Sequence, residues 1–119
     1  MKITIPVSVG ELIDKITILK IKSSYIDNKY IHKELELLKS IADEYKIYCV
    51  KWVDELYEVN QKLWNIEDRL REKEKLQEFD NEFIELARSV YIKNDKRAEI
   101  KKKINELSKS EFQEVKLYR

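Results

Sequence analysis

The sequence is nearly free of residues that break or staple a chain. Its 119 residues include one glycine, Gly10, one proline, Pro6, and one cysteine, Cys49. A lone cysteine excludes an intrachain disulfide and fits a reducing compartment. With His32 as the single histidine, zinc and the softer transition metals lack a donor set. No apolar run approaches the ~18 residues of a membrane span. Met1-Lys2 leads straight into an alternating pattern, which does not read as a secretory leader. The cytoplasm is the expected location. Charge of one sign is also missing. Lys and Arg number 24 against 23 Asp and Glu, a net charge of +1. A nucleic-acid partner calls for a basic excess or stripe, so none is expected. Lys101-Lys102-Lys103 reads as a solvated helix face. Nucleophilic triads and glycine-rich phosphate loops are absent, and no cofactor is implied.

What is present is helix. Charged residues make up 39% of the chain and hydrophobic residues 43%. That mixture suits long amphipathic helices with polar backs. Leu35, Leu38, Ala42, Tyr45, Cys49, Trp52, Leu56, Val59, Leu63, Ile66 and Leu70 recur in 3-4 spacing through successive heptads. No Gly or Pro interrupts them, so the spacing predicts one helix from about Lys29 to Gln77. Nearly fifty residues would span ~70 Å. A domain of this size has a radius of gyration near ~13 Å. The helix must therefore project or break. A projecting apolar seam calls for cover from a second chain. Tyr45, Trp52, Leu56, Val59, Leu63 and Ile66 are the candidate oligomer seam, with a homodimer favoured over a helical protein partner.

The remaining chain supplies partners for that helix. Ile3, Ile5 and Val7 alternate in a short strand over residues 2–7, limited by Pro6. Ser8-Val9-Gly10-Glu11 fits a capping box, with Val7 and Leu12 as its hydrophobic staple. The helix it starts, ELIDKITILKIKSSYI, is apolar on more than one side, so it should lie at the centre of the core. Asp27-Asn28 makes the first turn. Phe79-Asp80-Asn81 ends the long helix. Further helices are expected over 81–92 and 95–108, separated and capped at Asn94-Asp95. The tail EFQEVKLYR alternates imperfectly and could pair with the first strand. The expected architecture is thus a mainly α, single-domain helical bundle over 1–119. It has one long central helix and a short two-stranded sheet joining the termini.

Two enzyme classes built from helices offer comparisons. Nucleotide pyrophosphohydrolases bind Mg²⁺ through E-x-x-E and E-x-x-D pairs. Glu11/Asp14, Glu55/Glu58, Glu82/Glu85 and Glu111/Glu114 match, but so acidic a chain contains about that number by chance. Leu12-Ile13-Asp14-Lys15-Ile16 is faintly similar to the first helix of chorismate mutases. The converging cations that enzyme needs have no counterpart at the start of this helix. Trp64, Glu67 and Asp68 lie just outside the seam, where Glu67 and Arg71 are spaced for a surface ion pair. Arg88 and Arg97 have no local explanation.

Three blocks, PVSVGELIDKITILKIK, LWNIEDRLREKE and FDNEFIELARSVYIKNDKRAEIKKKIN, resemble a family of short bacterial and phage-borne proteins known only as a domain of unknown function. The resemblance covers nearly the whole chain and implies a small stand-alone protein. It brings no activity, but its blocks contain Ser8, Gly10, Glu11, Asp14, Lys15, Glu67, Asp68, Arg88, Asn94, Asp95 and Arg97. From Glu11 onward these are the candidate ligand or partner patch. Two functions are therefore expected. One is a non-enzymatic interaction protein using the helical seam. The other is a small-molecule binder, or small helical-bundle enzyme, with a charged pocket between the first helix and the later ones.

Overall fold

A computed structural model describes residues 1–117 as four helices: α1 (Val9–Tyr25), α2 (Lys29–Glu44), α3 (Val50–Leu76) and α4 (Asn81–Ser108). The first helix begins as its sequence predicts, with Ser8 Oγ accepting from the Glu11 amide at 3.1 Å. The reciprocal half of the capping box does not form. The Glu11 carboxylate reaches Lys101 Nζ instead, at 2.7 Å. The Gly10 amide donates to Asn105 Oδ1 at 2.7 Å and the Val9 amide to Ser110 Oγ at 3.1 Å. The start of α1 is thus capped by the end of α4, and its free donors are already satisfied.

The predicted helix over Lys29–Gln77 is two helices. α2 ends at Glu44, and α3 starts after Cys49. The break needs neither glycine nor proline. Lys46 adopts the left-handed conformation at φ 58°. Its amide donates to Asp43 O at 3.1 Å, and the Ile47 amide donates to Ala42 O at 2.9 Å. This is a Schellman motif, closed by Ile47 packing on the same cluster as Ile41. Cys49 therefore lies in a connector, half-buried, rather than inside a helical seam.

The opposite correction applies at the C-terminal end. Residues 81–92 and 95–108 form one helix, α4, which passes through Asn94-Asp95 without a break. Asp80 provides the cap by accepting from the Phe83 amide at 3.0 Å. Packing of α4 along α3 and α1 outweighs the turn preference of those two residues. Among the described residues the terminal sheet does not form either. Residues 1–7 and 111–117 run without strand pairing, and residues 118–119 of the expected second strand lie outside the described residues. A two-stranded ribbon is marginal unless it is packed, and here the helix-end caps join the termini instead.

α1 is the hub, as expected. It packs on α2, α3 and α4, whereas α2 packs on α1 alone among the described residues. Two apolar clusters lie on different sides of α1. Leu12, Ile16 and Leu19 meet Leu35 and Ala42 of α2. Ile13 meets Val53, Leu56 and Val59 of α3 and Ile100 and Ile104 of α4. Each such side chain, fully buried, contributes ~1.5–3 kcal/mol. The seam is thus partly spent within the chain: Leu56 and Val59 are core, and Trp52 packs half-buried against them. Tyr45 caps α2 and is exposed.

The third side of α1 faces the α3–α4 hairpin and shapes the candidate site. That hairpin is closed by Lys73, whose buried ammonium pairs with Asp80 at 2.7 Å and Glu78 at 3.4 Å. At the end of α1, Tyr25 stacks on Trp64 of α3 with ring centroids 5.3 Å apart. Beyond that level the hairpin projects. The radius of gyration is accordingly 16.1 Å and the extents are 48 × 37 × 28 Å.

Candidate functional site

The third side of α1 carries Gly10, Asp14, Thr17 and Ile21, at intervals of four, three and four. These place all of them on one stripe. Asp14 and Thr17 are fully buried. A buried carboxylate requires partners, and Asp14 accepts three hydrogen bonds from two side chains. Arg97 Nε donates to Oδ1 at 3.0 Å, and Arg97 Nη2 donates to Oδ2. Asn60 Nδ2 donates to the same Oδ1 at 2.8 Å and to Thr17 Oγ1 at 2.8 Å. One carboxylate thereby ties α1 to both α3 and α4.

Arg97 is gripped side-on through Nε and Nη2. Its end-on edge, Nη1 and the outer proton of Nη2, has no acceptor among the described residues. The Asp14 hydrogen bonds outweigh the effect of burial and raise the Arg97 pKa above its ordinary value. The guanidinium is therefore a fixed cation, with its side chain 28% exposed.

Two adjoining hollows are both lined by Arg97. The larger, about 580 Å³, lies between α1, α3 and α4; its walls include Ile18, Ile21, Leu63, Trp64, Glu67, Asp68 and Arg71. The smaller, about 250 Å³, lies by Glu11, Ala98, Lys101, Glu114 and Lys116. Asn94 and Arg97 line both. In the smaller hollow, buried Lys101 Nζ donates to Glu11 at 2.7 Å and Glu114 at 2.8 Å, with Asp14 Oδ2 3.9 Å away. Burial pushes the Lys101 pKa down, but the bonds to Glu11 and Glu114 more than offset this, and it ends raised. Glu114 is pulled down to about 2 by its bonds from Lys101 and Lys116.

Of the nine candidate residues, Glu11, Asp14, Glu67, Asp68, Asn94 and Arg97 come together around these hollows. Three do not. Lys15 is exposed and pairs with Glu34 at 3.0 Å. Arg88 pairs along its own helix with Glu85 at 3.6 Å. Asp95 is exposed on α4. The spacing for a Glu67–Arg71 ion pair goes unused, because both side chains line the larger hollow without an ion pair among the described residues.

Sequence reasoning missed Asn60, Lys101 and Glu114. Lys101, read as part of a solvated triplet, is buried. Its position four residues after Arg97, between Ile100 and Ile104, was the available signal. Asn60 follows the seam residue Val59 directly, and a buried amide there carries no periodic signature.

The chain belongs to a family of unknown function, DUF6165, whose model matches residues 1–119. No curated protein and no solved structure matches it.

Proposed function

We propose that the chain is a small-molecule-binding protein whose ligand sits in the cleft between α1, α3 and α4. The supporting observation is Arg97. A fully buried carboxylate fixes its guanidinium, and Arg97 lines both hollows. Preorganising a cation in this way removes the entropy of orienting it on binding. A purely structural ion pair needs no open hollow in front of it. The test is a ligand screen on the intact protein by thermal shift. A compound that raises the melting temperature of the wild type should lose that effect in Arg71→Gln, which alters the cleft wall at an exposed side chain. If every stabilising compound acts equally on both proteins, the cleft is not the site.

A second reading keeps the interaction role. Along the far half of the α3–α4 hairpin, Ile66, Leu70, Phe83, Leu86 and Val90 remain half-buried while Ile84 is exposed. An apolar hairpin face of this kind supports pairing with a second copy. Sedimentation would then give a dimer that Ile84→Glu converts to monomer. A wild-type monomer at all accessible concentrations ends this reading.

A further inference from the structure

We propose that the larger hollow takes a zwitterion of the α-amino-acid kind, with a carboxylate, an ammonium group and an apolar side chain; this rests on the cleft being a binding site. Trp64, Glu67, Asp68 and Arg71 follow one another on α3 at intervals that put them on one helical face. That face borders the hollow, with Glu67, Asp68 and Arg71 exposed along its rim. Glu67, Asp68 and Arg71 have no ion-pair partner among the described residues, and Arg97 joins the lining from α4. The hollow is therefore lined by unpaired groups of both signs.

Charge decides the class. A simple anion would meet Arg71 and Arg97 but also Glu67 and Asp68, with Asp14 directly behind Arg97. The carboxylates outnumber the cations, so an anion gains no net attraction. A simple cation would satisfy the acids and leave both guanidinium edges facing it. An uncharged apolar ligand would desolvate all of these groups without pairing any. A zwitterion pairs both signs at once. Its carboxylate fits the fork of the Arg97 edge, and its ammonium is a donor for Glu67 and Asp68. Ile18, Ile21 and Leu63, beside the Trp64 ring, give its side chain an apolar floor.

The experiment uses the full chain labelled with ¹⁵N. The chain has two tryptophans, so Trp64→Phe assigns the two indole N–H signals. Trp52, packed on the core, serves as the internal control. Each protein amino acid is added at about 10 mM, a concentration that detects millimolar binding. The expected result is movement of the Trp64 signal with one or more apolar amino acids while Trp52 stays still. Converting the carboxylate of that amino acid to an amide, or acetylating its amine, should each weaken binding at least about tenfold. Arg71→Gln and the double change Glu67→Gln with Asp68→Asn, all at exposed positions, should do the same. If sugars, phosphates or dicarboxylates move the Trp64 signal and amino acids do not, the zwitterion is wrong and the cleft survives as a site. If none of these compounds moves it, both ideas fall.

Discussion

Asp14 and Arg97 lie 83 residues apart in sequence, yet they meet side-on, with the carboxylate fully buried and the guanidinium reaching the cleft. Removing one member of a buried pair strands the other. Asp14→Ala is expected to cost ~3–5 kcal/mol in urea denaturation. Replacing both, as Asp14→Leu with Arg97→Met, should recover most of that loss, because an apolar pair fills the space without stranded charge. A double variant no more stable than Asp14→Ala would show that Asn60 and Thr17, rather than charge pairing, carry the cost.

Gly10→Ala tests how closely α1 and α4 approach. Helix propensity alone favours alanine by ~1 kcal/mol. The added Cβ, however, would stand 2.8 Å from the Lys101 carbonyl oxygen and 3.0 Å from Asn105 Oδ1. The first of these is backbone, which cannot swing aside. The clash should win and cost ~1–3 kcal/mol, seen as a lower thermal midpoint. A raised midpoint would mean that the two helices separate easily at this end.

Much of the fold was legible where local chemistry acts alone. Ser8 caps the helix it precedes, the chain turns at Asp27-Asn28, and α1, apolar on several sides, is the hub. What was not legible depends on contacts between distant residues. Unbroken seam spacing across Tyr45–Cys49 hides a helix end made by the left-handed Lys46, a residue with no sequence signature for that conformation. Asn94-Asp95 has the composition of a break but lies inside α4, where Asn94 faces the cleft. Glu11, Asp14 and Arg97 could be named in advance. Lys101 carried a helical-spacing signal beside Arg97, but Asn60 had none, because only the packing of α3 on α1 brings it to Asp14.

Three helices end at a non-glycine residue in the left-handed region: Lys46, Gln77 and Lys109, with φ of 58°, 56° and 57°. An L side chain there costs ~1 kcal/mol that glycine avoids. Gln77→Gly is the cleanest case, since the position is exposed and its Schellman bonds involve only backbone groups, Gln77 N to Glu74 O and Glu78 N to Lys73 O. Its expected effect is a gain of about 0.5–1 kcal/mol in chemical denaturation, partly offset by the freer unfolded chain. A loss would indicate that the Gln77 side-chain bond to Glu74 O, at 2.7 Å, matters more than backbone strain.

Glu114 fastens the C-terminal segment to the cleft through Lys101, and its low pKa fixes the direction of the pH effect. Its carboxyl falls from an ordinary 4.5 to about 2 through the bonds from Lys101 and Lys116. A depressed acid contributes stability in full above its unfolded value, and that stability is lost as pH falls through the folded one. Wild type and Glu114→Gln should therefore differ most in thermal midpoint near neutral pH. The gap should narrow from about 4.5 downward and close near 2. Its size will be small, because the Glu114 side chain is 36% exposed and solvent screens the pair. Added salt at neutral pH should shrink the same gap. A difference that stays constant down to pH about 2 would mean that the Glu114 carboxylate does not hold Lys101 in solution, leaving Glu11 and the more distant Asp14 to neutralise that buried ammonium.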